Sequence, residues 1–153
     1  MSLINDRLKQ LNIVLPPAPA PAANYVPYVK SNKLIFVSGQ IPMLNGELVT
    51  GKVGKNIEIE DAKTAARLCG LAIVSQLNEA TDLDLDKIKR IVKLGGFVNC
   101  IDEFTQQPEI INGASDLIAS VFGDAGMHTR AAVSVNSLPL GVAVEVDAIF
   151  ELN

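Results

Sequence analysis

The 153-residue sequence has no tryptophan, a single histidine, His128, and only two cysteines, Cys69 and Cys100. A zinc site of the usual kind needs several Cys/His ligands, so this inventory excludes one. Neither a Ser–His–Asp nor a Cys–His catalytic arrangement is evident, and there is no G-x-S-x-G turn. No run of about 18 apolar residues is present, so no helix is expected to span a bilayer. Asp6, Arg7 and Lys9 stand near the start, and the short apolar run Ile13–Leu15 ends in prolines, unlike a secretory signal. With two unremarkable thiols, this reads as a cytoplasmic protein in a reducing compartment. Positive charge is also scarce. Thirteen Lys+Arg against 17 Asp+Glu leave a net charge of −4, the wrong sign for a phosphate-neutralising surface, so nucleic acid is disfavoured as a partner.

What the sequence does have is core material, 48% hydrophobic residues against 20% charged, and a length suited to one domain over 1–153. Ser2 can cap a short amphipathic helix bearing Leu3, Ile4, Leu8 and Leu11. The following run from Leu15 to Ala23 is too rich in proline for helix or central strand and reads as an extended connector. Residues 1–20 thus form an extension and 21–152 the core. Lys33–Gln40 reads as a strand, and Asn45-Gly46 as a hairpin turn. Ile59, Ala62, Ala66, Cys69, Ile73, Leu77 and Ala80 repeat every three or four residues, predicting a helix over 59–80 with Cys69 in the core. Lys87–Cys100 is strand-like, and Pro108 suits the first turn of a second helix ending near Gly123.

Two further strands, Arg130–Val135 and Val142–Leu152, are joined by a short segment containing Pro139 and Gly141. Val142, Val144, Val146, Ala148 and Phe150 make one apolar face of the second; Ala131, Val133 and Val135 would match it on the first. A hairpin with both apolar faces on the core places Arg130 opposite Asp147 and diagonal to Glu145. The element order predicts an α+β domain with helices on one sheet face. Two interpretations of the charged cluster stay open on spacing alone. One is an exposed cross-strand ion pair of little energetic weight. The other is a subunit interface where Arg130 clamps a carboxylate and Glu145 activates water. His128, alone, reads as a loop residue.

Tyr28 after Pro27, Ser38-Gly-Gln-Ile-Pro42, Asn112 at a helix start, Arg130-Ala-Ala-Val133 and Val144-Glu-Val-Asp-Ala148 together resemble the Rid family (YjgF/YER057c/UK114), over roughly Pro21–Leu152. The resemblance implies a chorismate-mutase-like mixed sheet with two main helices on one face. It implies a homotrimer with sites between subunits, and hydrolytic deamination of 2-imino or enamine acids such as 2-aminoacrylate to 2-oxoacids and ammonia. No cofactor or metal is implied. By the same resemblance Arg130 binds the substrate carboxylate, Glu145 holds or activates water, and Tyr28, Gly39 and Asn112 line the cleft. Ala132 stands where many members have cysteine, and Gly126-Met-His-Thr129 replaces the usual approach to the arginine. The alternatives are a non-catalytic trimeric binding protein for small carboxylates and an endoribonuclease, a label the family sometimes carries.

Overall fold

A computed structural model describes residues 2–21 and 23–153. The N-terminal helix α1 (Leu3–Gln10) starts where Ser2 Oγ accepts the Asn5 amide at 3.2 Å. Its Leu3 and Ile4 amides donate to the Asp86 carboxylate, both at 2.9 Å, which ties the helix to a turn distant in sequence. Ile4 and Leu8 are the buried residues of its inner face. The proline-rich connector that follows crosses α2 (Ile59–Ala80) as a strap. Proline has no N–H to give, but its carbonyl still needs a donor if covered. Ser75 Oγ supplies one to Pro16 O at 2.8 Å, and buried Gln76 supplies another to Pro19 O at 2.6 Å.

Five strands form the main sheet: β1 (Tyr28–Ser31), β2 (Leu34–Gln40), β5 (Ile88–Asn99), β6 (Thr129–Val135) and β7 (Val144–Leu152). A two-stranded ribbon, β3 (Met43–Leu44) with β4 (Glu47–Leu48), turns at Asn45-Gly46 as the sequence predicts. The sheet order is β1-β2-β7-β5-β6. All neighbours are antiparallel except β5 and β6, which α3 (Gln107–Phe122) connects as a parallel crossover. Both long helices cover one face. They approach closely because Gly113 has no side chain; a Cβ there would collide with the Lys63 carbonyl. Phe150, Ile73, Leu94, Ile111 and Leu117 are sealed between them and the sheet.

The expected β6–β7 hairpin does not form. β5 lies between the two strands, antiparallel to β7 and parallel to β6, so β6 is the sheet edge. The segment joining β6 to β7 instead runs back to other loops. Gly51 donates to Gly141 O at 3.0 Å, and Lys52 Nζ donates to Asn136 O at 2.6 Å. Inserting a strand changes every neighbour: Arg130 sits beside Leu94, and Leu94 beside Ala148, so Arg130 shares the helix-covered face. Ala131 and Val133, expected in the core, are exposed on the opposite face. That open face also carries Phe36, Ile149, Glu145 and Asp147, leaving apolar and acidic groups together uncovered.

Candidate active site

Arg130 projects from edge strand β6 toward α3. Pro108, Asn112 and Ser115 are spaced i, i+4, i+7, so one flank of that helix meets the guanidinium. Nη1 donates to Asn112 Oδ1 at 2.8 Å and to Ser115 Oγ at 3.0 Å, and Nη2 donates to Pro108 O at 3.3 Å. Both Nη1 protons are therefore spent. Nε and one Nη2 proton remain as donors that could meet a carboxylate. Asn112 lies in the second turn of α3 rather than at its start.

Behind Arg130 stands a pair that the sequence did not reveal. His128 Nδ1 lies 2.6 Å from Gly126 O, and Nε2 lies 2.9 Å from Ser115 Oγ. A carbonyl only accepts, so Nδ1 carries the proton in the neutral ring and Nε2 offers its lone pair. Ser115 then donates its hydroxyl proton to His128 and accepts from Arg130, so its oxygen bridges the two side chains. The signal available in the sequence was the helical spacing of 108, 112 and 115, all facing the arginine strand.

Glu145 occupies the other face of the sheet. A Cβ on Gly39 would collide with Glu145 Oε1, so the missing side chain lets the carboxylate rest against the β2 backbone. There β2 shifts register between Val37 and Gln40, a bulge within Ser38-Gly-Gln. The carboxylate opens into a cavity of about 450 Å³ in which, among the described residues, it is the one charged group. Burial pushes the Glu145 carboxyl above its ordinary range, and the neighbouring Asp147 charge pushes it further. Asp147 is raised as well, by burial, against the attraction of Lys93 and the Gly95 amide.

Within one chain, then, the two charged candidates are apart. Arg130 and Glu145 lie on opposite sheet faces, two strands and three residue rows from each other, roughly 10 Å in each direction. Gly39 joins Glu145 and Asn112 joins Arg130; Tyr28 joins neither. It pairs with Val37 at the opposite sheet edge and packs on the core, while Tyr25 reaches the Glu145 cavity. Cys69 is fully buried, and burial drives its thiol well above the range in which it would ionise. Among the described residues no three His, Cys, Asp or Glu side chains gather as metal ligands, and no helix is long and apolar enough to cross a membrane.

Comparison with known proteins agrees with this architecture. The family model described as "YjgF/chorismate mutase-like, putative endoribonuclease" matches residues 5–152. Protein TCP17 of Trypanosoma cruzi is 51% identical over 148 residues, 95% of this chain and 92% of that protein. The crystal structure of Atu1372, a protein of unknown function from Agrobacterium tumefaciens, superposes with a TM-score of 0.91 at 48% identity, covering 98% of this chain and 92% of the other. TdcF of E. coli, solved with bound serine, superposes with a TM-score of 0.59 at 26% identity, covering 89% and 94%.

Proposed function

Because the chain belongs to the YjgF/chorismate-mutase-like family, we propose that it is a hydrolytic deaminase of 2-imino acids and their enamine tautomers, acting at sites between copies of the chain. The observation that carries this is the pairing of a half-engaged arginine with a desolvated carboxylate that one chain holds apart. A small substrate cannot span the two within a subunit. Closing the exposed apolar and acidic sheet face against a second copy would bring Glu145 of one chain toward Arg130 of another, and cyclic closure makes a homotrimer with three equivalent sites. The serine bound to TdcF supports a small amino-acid-like ligand in this fold.

In the reaction, Nε and Nη2 of Arg130 hold the substrate carboxylate. Water adds to the imine carbon, and Glu145 takes the proton that water loses. The same carboxyl returns that proton to the nitrogen of the tetrahedral adduct and then passes the adduct's hydroxyl proton to the same nitrogen, which leaves as ammonia. The C–N bond breaks, the carbonyl forms, and R–C(=NH)–CO₂⁻ plus water has become R–CO–CO₂⁻ plus ammonia. A carboxyl held above its ordinary range is the stronger base once ionised, and the amine nitrogen of the adduct, more basic still, can take the proton from it. The test is release of pyruvate from 2-aminoacrylate generated in situ. Wild type accelerates it, and Glu145→Gln lowers the rate by about 10²–10⁴-fold while 2-oxobutyrate still binds. Binding with no acceleration would leave a carboxylate-binding protein, and cleavage of single-stranded RNA instead would favour the endoribonuclease alternative.

A further inference from the structure

The cavity around Glu145 is larger and less polar than a three-carbon acid requires. At about 450 Å³ it falls in the range of pockets that enclose far bigger ligands. Its walls come from the strap with Pro19 and Pro21, Tyr25 beyond it, the β2–β4 segment with Ile41 and Met43, and Leu140 from the β6–β7 connection. Among the described residues no charge other than Glu145 lies on them; Gln40, whose amide donates to Ser38 O, and Tyr25 are the other polar side chains in a mostly apolar lining.

Leu140 is the second observation. It is 65% exposed in the single chain and holds φ +60°, a left-handed conformation that is costly for a branched residue and ordinary for glycine. The next residue, Gly141, also has positive φ, at +69°. A glycine at 140 would satisfy the turn without strain, yet a leucine stands there with its side chain on the cavity wall. Strain retained with an exposed apolar side chain points to a ligand contact. The strap is equally deliberate: Ser75 and Gln76, both buried in α2, each spend a hydrogen bond on a strap carbonyl.

On the deaminase reading above, we infer that this cavity is a side-chain subsite selecting 2-imino acids with a large, uncharged apolar side chain, of the size carried by leucine or phenylalanine. The substrate carboxylate lies on Arg130 of the neighbouring copy, the imine carbon faces Glu145, and the side chain displaces water between the strap and Leu140. Each methylene so buried is worth about fourfold in transition-state binding. The enzyme that supplies the substrate is then one that oxidises large apolar amino acids at the α-carbon.

The experiment compares imino acids of alanine, leucine and phenylalanine, each made in situ by an amino-acid oxidase, with binding of pyruvate, 4-methyl-2-oxopentanoate and phenylpyruvate measured in parallel. Wild type should favour the leucine- and phenylalanine-derived imines by about ten- to fiftyfold in kcat/KM. Leu140→Gly, which the backbone accepts, should cut that preference to a few-fold. Equal kcat/KM for all three imines overturns the subsite and leaves the deaminase reading standing. Tighter binding of the large oxoacids, lost in Leu140→Gly, with no imine hydrolysed, upholds the subsite and removes the deaminase reading. Equal binding of the three oxoacids, with no imine hydrolysed, overturns both.

Discussion

The Glu145 carboxylate rests directly on the backbone of Gly39, in space that any side chain would fill. Gly39→Ala is therefore expected to push the carboxylate aside without unfolding the strand, since the colliding atoms end a flexible side chain. A displacement of about 1 Å in a catalytic group can cost 10²-fold in rate. Imine hydrolysis should fall by about that factor while the melting temperature moves little. Full activity in Gly39→Ala would show that the carboxylate position is immaterial.

Ser115 links Arg130 to His128, so Ser115→Ala removes an acceptor from one partner and a donor from the other. Hydrogen bonds to charged groups contribute about 1.5–3 kcal/mol. Carboxylate affinity, read by titration with 2-oxobutyrate, should drop about tenfold or more. In an Arg130→Lys background the same change should cost almost nothing, because the lysine ammonium lacks the planar fork that Ser115 orients. Additive losses would mean that Ser115 acts independently of the arginine.

The acid limb of the pH–rate profile should report Glu145 as base. Its carboxyl is raised, first by burial and then by Asp147, so activity should appear at a higher pH than an ordinary carboxylate would give. Asp147→Asn removes the like charge and should move that limb to lower pH. A limb that stays in place would mean that Asp147 does not reach Glu145, and a limb moved upward would contradict the electrostatics.

Asp86 receives the Ile4 and Leu3 amides, and the Ile4 hydrogen bond holds its carboxyl below the usual range. A depressed value in the folded state means that this anchor contributes fully above the ordinary carboxylate value and is lost as pH falls through the folded one. Asp86→Asn should lower the melting temperature at neutral pH by about 2–4 °C, the effect of a lost cap of about 1 kcal/mol. The difference from wild type should shrink in acid. Faster hydrogen exchange confined to Leu3–Gln10 would locate the loss in α1.

Much of the architecture was legible in order along the chain. The apolar stripe from Ile59 to Cys69 and on to Ala80 is a helix because only a 3.6-residue repeat puts those side chains on one face. Asn45 and Gly46 turn a ribbon because both take positive φ readily. The alternation Val144, Val146, Ala148, Phe150 told which side of β7 is buried, and so placed Glu145 and Asp147 on the other.

Strand pairing was a different matter. Alternation says which side of a strand is apolar, and nothing about which strand lies beside it. For β6 the alternation itself misled, because Ala131 and Val133 are apolar yet face outward on the uncovered sheet face. Apolar residues on that face stay exposed in the single chain, so apolar alternation did not imply burial. The sequence alone determined most of the elements and the buried side of β7, and it singled out Arg130 and Glu145 as candidates. Only the tertiary structure decided that β5 separates their strands, which sets the two groups on opposite faces. The reason is physical: side-chain periodicity is a property of one strand, whereas neighbour choice depends on how the α3 crossover and the loops at Gly51 and Lys52 close in space.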